Sequence, residues 1–309
     1  MKILVTGGAG FIASHIVDTY IRLGHQVVVV DNLSTGKKEF INKKSTFYRA
    51  DIRKKKDISR IINKEKPQVI NHHAAQISVR VSVEDPSLDA QVNLLGLINL
   101  VEAGRLNGLE KIIFASSGGV VYGEADKIPT PEDYYPLSPL SPYGVTKLAS
   151  EYYLNYYHLI YGIPYIALRY SNVYGPRQNP HGEAGVVAIF IKKILRGLRP
   201  VINGNGRQTR DYIYVGDVAR ANVLALQTKK TGAFNIGTGV ESDVLKIYST
   251  IKELLQAKVK AVHGPAKKGE QLRSCLVTVK AQKVLDWQWG IELRRGISET
   301  VEYFKKDEK

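Results

Sequence analysis

Short, continuous apolar runs alternate with stretches of helical periodicity along most of this 309-residue chain. Ile3, Leu4 and Val5 form the first run, at residues 2–6. Runs of the same kind fall at 26–30, 46–49, 68–71, 111–115 and 164–170, with a last one at 233–237. Runs this short, without strict polar alternation, predict strands buried on both faces, as in a parallel sheet covered by helices. Between the first two runs Ile12, Ile16, Val17, Tyr20, Ile21 and Leu23 recur at helical spacing. A longer helix is expected at 86–106 with Val92, Leu95, Leu100 and Val101 turned inward. Ser141 and Pro142 supply the N-cap and first position of another, which continues through Leu148, Ala149, Tyr152, Leu154, Tyr157 and Leu159. Further helices are expected at 186–195 and 217–226, residues 243–255 are assigned to a smaller lobe, and a closing helix runs to Phe304. The pattern as a whole predicts an α/β fold built on a doubly wound parallel sheet.

The polar punctuation between these elements adds chemistry. Gly7-Gly8-Ala9-Gly10 joins the first strand to the first helix, and Ala13 takes the third small position of the spacing. A glycine turn there lets backbone N–H groups approach a pyrophosphate at a helix N-terminus. Asp31 follows Gly10 by 21 residues, at the end of the second strand. A carboxylate so placed accepts ribose hydroxyls and repels a 2′-phosphate, which favours NAD over NADP. The order of these features predicts a Rossmann-type unit, residues 1–172 completed by 211–239, with a smaller substrate lobe from 173–210 and 240–309. Asp51 and Ile52, after the third strand, are placed to contact adenine. His73, Ala74, Ala75 and Gln76 follow the fourth strand, where the chain passes beneath the cofactor. Asn93 lies among the inward residues of the 86–106 helix, where its amide serves either a ligand or the backbone.

Tyr143 and Lys147 stand one turn apart near the start of the helix capped by Ser141. At that spacing the ammonium and the helix N-terminus are both expected to favour a phenolate, making the tyrosine a usable base. Ser116 and Ser117 end the 111–115 strand, and Tyr143 follows Ser117 by 26 residues. Three polar groups are thereby expected in the crevice at the sheet's C-terminal edge. Arg207 and Arg210 flank the start of a strand near residue 212, and a guanidinium is well shaped for diphosphate oxygens. Composition narrows the field. The single cysteine, Cys275, excludes an intrachain disulfide, and His72 and His73 point to opposite faces of a strand, so no metal site is expected. With no signal-like leader and no apolar run of membrane length, a cytoplasmic protein is expected. Lys and Arg number 44 against 29 Asp and Glu, a net charge of +15. The excess is scattered, which suits attraction of a small anionic substrate better than nucleic-acid recognition.

Taken together, TGGAGFIAS at residues 6–14, Asp31-Asn32, Asp51-Ile52, HHAAQ, SSGGVVYGE, SPYGVTK, RYSNVYGPRQ, GRQTRDYIYV and GEQLRS resemble the extended short-chain dehydrogenase/reductase family, in its nucleotide-sugar epimerase/dehydratase branch. The resemblance spans almost the whole chain and is greatest to archaeal and thermophilic enzymes that act on UDP-glucose and UDP-galactose. It implies NAD-dependent inversion at carbon 4 by transient oxidation and hydride return to the opposite face. Tyr143 would be the base, Lys147 would bind the nicotinamide ribose, and Ser117 would share the reacting oxygen. The implied cofactor contacts are Gly7, Gly10, Phe11, Ile12, Asp31, Asn32, Ser34, Thr35, Gly36, Asp51, Ile52, His73, Ala74, Ala75, Gln76, Asn93, Ser116, Tyr143, Lys147, Tyr170 and Val173. The implied substrate contacts are Ser117, Tyr143, Asn172, Val187, Asn203, Arg210 and Arg273. A homodimer through a helix packing that includes the Tyr143 helix is also implied.

Departures from the family pattern qualify this picture. Gly118 stands where many relatives carry the catalytic hydroxyl, so Ser117 takes the role with Ser116 as its rival. Gly118 and Gly119 also leave out the acid that dehydratases place there, which favours plain epimerisation. Leu272 and Val277 stand where relatives usually carry Arg and Asp. Ser274 falls where relatives wall the sugar's 2-substituent, and a small residue there would admit N-acetylhexosamines. The alternatives are a 4-epimerase of UDP-N-acetylglucosamine or UDP-glucuronate, another nucleotide-sugar enzyme, and a non-catalytic NAD-binding protein with a basic surface for nucleic acid.

Overall fold

The computed structural model describes residues 1–180, 185–266 and 271–307. Its larger layer starts with β1 (Lys2–Thr6), α1 (Phe11–Arg22), β2 (Gln26–Asp31) and β3 (Thr46–Arg49). Then follow α2 (Lys55–Glu65), β4 (Val69–His72), α3 (Val79–Glu84), α4 (Pro86–Ala90) and, beyond a π-helical turn at Gln91–Leu95, α5 (Gly96–Arg105). β5 (Lys111–Ser117), α6 (Pro142–Tyr161) and β6 (Tyr165–Tyr170) complete its contiguous part. The expected 86–106 helix is therefore one run broken by the π turn. That turn inserts a residue into the helical repeat, and Leu95, expected inward, is instead 51% exposed, while Leu100 and Val101 are buried as their spacing predicts. The helix α2 had no counterpart in the periodicity reading, because its lysine-rich opening reads as a solvated charge run.

Beyond β6 come β7 (Asn172–Tyr174), α7 (Val186–Leu195), β8 (Val201–Asn203), β9 (Thr209–Tyr214), α8 (Val215–Gln227), β10 (Gly232–Ile236) and β11 (Glu241–Asp243). The chain ends with α9 (Val244–Leu254), β12 (Val262–Gly264), β13 (Arg273–Ser274), α10 (Val279–Leu285) and α11 (Leu293–Asp307). Seven parallel strands form the large sheet in the order β10-β6-β5-β4-β1-β2-β3. β9 pairs with β7, β11 and β13 in a small mixed sheet, and β8 pairs with β12 in a two-stranded one. Gly269 and Glu270 of the GEQLRS motif lie outside the described residues.

Apolar strands explain the layering. Ile3, Val5, Ile113 and Leu168 bury one face of the large sheet against Ile16 and Val17 of α1 and Val218 of α8. Leu4, Ile70, Phe114 and Ala167 bury the other against Ile58 of α2, Leu100 of α5 and Leu154 of α6. A third core, with Tyr174, Phe190, Ile202, Ile247 and Phe304, holds α7, α9 and α11 together around the small sheet. Strand order reverses direction between β1 and β4, which opens a crevice at their C-terminal ends where α/β sheets bind ligands.

Candidate active site

The turn after β1 is closed by Gly10 N donating to Gly7 O and Gly7 N donating to Val30 O, both at 2.8 Å. Gly7 has φ of 71°, and a Cβ there would lie 2.8 Å from Ala74 N. Gly10 caps α1 without a side chain, which leaves the N–H groups of the first turn to be met from outside the helix. Asp31 closes the same turn from β2, its Oδ2 accepting from Ala9 N at 3.0 Å and its Oδ1 from Leu33 N at 2.8 Å. Asn32 Oδ1 accepts from Ser34 N at 3.0 Å; Ser34 and Thr35 are exposed, and Gly36 is pressed against Ala9 and Asp31.

Across the crevice, Thr6 Oγ1 accepts from His73 N at 3.2 Å and Ala74 N at 3.1 Å, fastening the segment after β4 to the end of β1. His73 Nε2 lies 3.0 Å from the Tyr170 hydroxyl, while its Nδ1 is buried without a protein hydrogen bond. Asn93 serves the backbone: it accepts from Gln76 N at 2.9 Å and donates to Gln76 O at 3.0 Å. Asp51 is held by Arg53 in a bidentate pair, with 2.6 Å from Nη2 to Oδ2, and the hydrogen bonds from Arg53 keep its carboxyl below the usual range. Ile52 is core, filling the space beside Gly96.

Ser141 accepts from Gly144 N at 3.2 Å to start α6, and Pro142 occupies its first position. Lys147 is buried, donates to Ala115 O at 2.8 Å and lies 5.7 Å from the centre of the Tyr143 ring. Burial pushes the Tyr143 phenol up, and the Asp89 carboxylate adds to the rise. Burial lowers Lys147 to about 8, against the opposite pull of Asp89 and Glu151. The expected lowering of the phenol by Lys147 is thus reversed in the protein alone: loss of solvent around the phenolate outweighs a cation held to a strand carbonyl. Ser116 is buried and donates to Glu151 Oε1. Among the described residues Ser117 carries no side-chain hydrogen bond, and its strand position pairs with Tyr170 of β6. The rival hydroxyl is therefore already engaged in the core. At Gly118 a Cβ would lie 2.5 Å from Leu276 Cδ1, so the space beside this glycine is filled by a core leucine.

Three of the substrate candidates, Asn172, Arg210 and Arg273, lie on the small sheet. Val173 sits beside Asn172 on β7, which pairs with Tyr212 of β9, and Arg273 and Ser274 of β13 pair with Thr209 and Arg210. Arg210 Nη1 donates to Thr209 O at 2.8 Å. Arg273 makes a bidentate pair with Glu241, at 3.0 and 2.6 Å. Asn203 ends β8, and its carbonyl accepts from Gln208 Nε2 at 3.2 Å. Val187 is core of the smaller layer, so its side chain packs with Tyr174 and Ile202. The 175–178 loop is tied back to α1 by His15 Nε2 at 2.9 Å from Pro176 O and by Arg177 at 2.8 Å from Asp18.

The model of the NAD dependent epimerase/dehydratase family matches residues 3–237. The chain belongs to this family. It is 44% identical to a UDP-glucose 4-epimerase of Mycolicibacterium smegmatis over 99% of both chains. It superposes with a TM-score of 0.98, at 46% identity and covering 100% of each chain, on a crystal structure of UDP-glucose 4-epimerase with UDP-glucose from Thermotoga maritima. The UDP-glucose 4-epimerase of Thermus thermophilus in complex with NAD superposes with a TM-score of 0.94 at 44% identity over 99% of each chain. NAD is the cofactor of the family, and the residues present fit it: a glycine at positive φ with no room for a Cβ, an uncapped helix start and a strand-end aspartate surround one crevice.

Four residues of this family member were given no role by the sequence reading, although Tyr122 and Arg169 stand in the quoted motifs. Asp89, buried, accepts from Thr146 Oγ1 at 2.6 Å, from Gln76 Nε2 at 2.9 Å and from Asn93 Nδ2 at 2.9 Å. Glu151, Arg169 and Tyr122 form a buried cluster behind Ser116. Charged residues at otherwise apolar positions, Glu151 one turn beyond Lys147 and Arg169 inside a buried strand, were the available signal.

Proposed function

We propose that this protein interconverts UDP-glucose and UDP-galactose by inverting carbon 4 of the sugar. The observation that carries this reading is the end-to-end match, at 46% identity, to a UDP-glucose 4-epimerase structure holding UDP-glucose. The arrangement of Tyr143, Lys147 and Ser117 beside the crevice supports it.

In this mechanism NAD supplies a reversible hydride acceptor. Tyr143 would take the proton of the sugar's 4-hydroxyl as the phenolate, which the charge of Lys147 and of an oxidised nicotinamide would favour in the loaded site over the burial that opposes it, and would return it after the sugar has turned. Lys147, held by Ala115 O, fixes a positive charge one helical turn from that phenol. Ser117 hydrogen-bonds the reacting oxygen, and Gly118 leaves the neighbouring position without a second acid or base. The glycine turn and the start of α1 hold the pyrophosphate, and Asp31 the adenosine ribose. Asn172, Arg210 and Arg273 hold the nucleotide end of the sugar substrate, for which Arg273 exchanges or shares its Glu241 partner.

The protein acts as a homodimer in this reading. α6 exposes Tyr152, Tyr156, Leu159 and Ile160, and the neighbouring π turn exposes Leu95. Two such helices from each copy would bury one another in a four-helix packing.

The test is direct. Purified protein is incubated with UDP-galactose, first without and then with added NAD, and the sugar nucleotides are separated by chromatography. UDP-glucose is the expected product. Turnover confined to N-acetylated or uronate sugars would replace the substrate, and a product lighter by one water would replace the reaction.

A further inference from the structure

Tyr143, Lys147 and Glu151 follow one another at four-residue intervals, so they share one face of α6. Lys147 and Glu151 are both nearly sealed from solvent. The Glu151 carboxylate receives Arg169 Nε on Oε1 at 3.0 Å and Arg169 Nη2 on Oε2 at 2.7 Å, and Oε1 also accepts the Ser116 hydroxyl. Arg169 comes from β6 and Ser116 from β5, paired in register in the sheet. The remaining Arg169 nitrogen, Nη1, donates to the Tyr122 hydroxyl at 2.8 Å, and Tyr122 donates to Asn235 Oδ1 of β10 at 2.7 Å. A single carboxylate thus ties the helix that bears Tyr143 and Lys147 to the strand that bears Ser117. One turn away, Lys147 grips the residue before Ser116 through Ala115 O.

We infer that Glu151 is the positioning residue of this site: clamped by Arg169 and Ser116, it sets where Tyr143 and Lys147 stand relative to Ser117. The inference rests on the catalytic reading above, and it adds an electrostatic role. Lys147 is faced by Asp89 of α4, by Glu151 and Tyr143 of its own helix, and by His72 and His73 at the end of β4. Arg169 stands behind Glu151. With Glu151 ionised the pair is neutral; without it, Lys147 loses one of the carboxylates that favour its charge while the buried guanidinium of Arg169 is left unpaired behind it.

The test compares Glu151→Gln and the doubly neutral Glu151→Gln/Arg169→Gln with wild type. The expected result for Glu151→Gln is a fall in kcat of roughly tenfold or more with KM for UDP-galactose within about threefold, as for a misplaced catalytic group. The alkaline limb of its kcat profile moves to lower pH by about one unit, and the double variant moves it back toward wild type. In parallel, NMR of 13Cε-lysine protein, with the Lys147 signal identified by its loss in Lys147→Met, reads the lysine titration without any substrate. It is expected to shift down in Glu151→Gln and to recover in the double variant. Activity losses that merely follow the folded fraction, with both the pH limb and the Lys147 titration unmoved, overturn the inference. Wild type inactive on UDP-galactose overturns the proposed substrate instead, and the Lys147 titration then decides the role of Glu151.

Discussion

The two adjacent serines show how a single residue step separates chemistry from structure. Ser116 and Ser117 are indistinguishable in sequence terms, but β-strand alternation sends successive side chains to opposite faces. The hydroxyl of Ser116 is spent on Glu151, whereas that of Ser117 has no such claim on it. Ser117→Ala is expected to lower kcat roughly 10- to 100-fold, the worth of about 1.5–3 kcal/mol for a hydrogen bond to a charged reacting oxygen. Ser116→Ala is expected to act mainly on stability, costing about 1–3 kcal/mol in urea unfolding by leaving a buried acceptor short of a donor. Equal kcat losses in the two variants would contradict the assignment. Tyr143→Phe, which keeps the ring and removes the base, is expected to lose roughly 10²- to 10⁴-fold in kcat while retaining NAD, measured on the same assay.

Lys147 carries a pH consequence at the same scale. Its ammonium sits at about 8 in the folded protein against 10.5 when unperturbed, chiefly through burial. Between those values the unfolded chain binds more protons than the native one, so the contribution of this group to stability rises with pH across the window and is least favourable below about 8. The stability of wild type minus that of Lys147→Met is therefore expected to climb from pH 8 to 10.5, read from paired urea titrations. A flat difference would mean that Lys147 is not held in this desolvated state.

At the level of elements, what was legible depended on whether a local pattern had a single structural outcome. β1 and α1 around the glycine turn were readable because a buried run, a glycine at positive φ and an amphipathic helix admit one arrangement. α2 was not, since its apolar Ile58, Ile61 and Ile62 are outnumbered by charged and polar neighbours. The π turn was equally hidden: nothing in Gln91–Leu95 marks the extra residue that turns Leu95 outward. Side-chain pairing across the sheet, such as Glu151 with Arg169, is long-range, and periodicity says nothing about it. The glycine turn also makes a prediction. Gly7→Ala places a Cβ 2.8 Å from Ala74 N at a φ of 71°. The strain is expected to displace the 73–76 segment, so that the purified variant folds but releases NAD, as measured by extraction and absorbance. Full cofactor content in Gly7→Ala would show that the turn has slack the geometry does not suggest.

The whole molecule presents a surface that its own elements leave uncovered. α6 is 20 residues long, and among the described residues it buries one face, with Thr146, Lys147, Ser150, Glu151, Leu154 and Tyr157. Leu159 is 70% exposed, Tyr152 64% and Ile160 62%, on a helix adjoining a π turn whose Leu95 is also exposed. Contiguous apolar area of this kind on a protein with a net charge of +15 is unusual unless something covers it. A second copy is the simplest cover, because a two-fold axis brings the same helices together from both sides and buries like against like. Leu159→Glu places two carboxylates against each other across such an axis while changing nothing in the core. The variant is expected to sediment at half the mass of wild type at micromolar concentration, with its circular dichroism retained. Because α6 also carries Tyr143 and Lys147, loss of the partner is further expected to lower the melting temperature of the helix that bears them. Wild type that sediments as a monomer would remove the dimer from the proposed function and leave the exposed face of α6 for another partner.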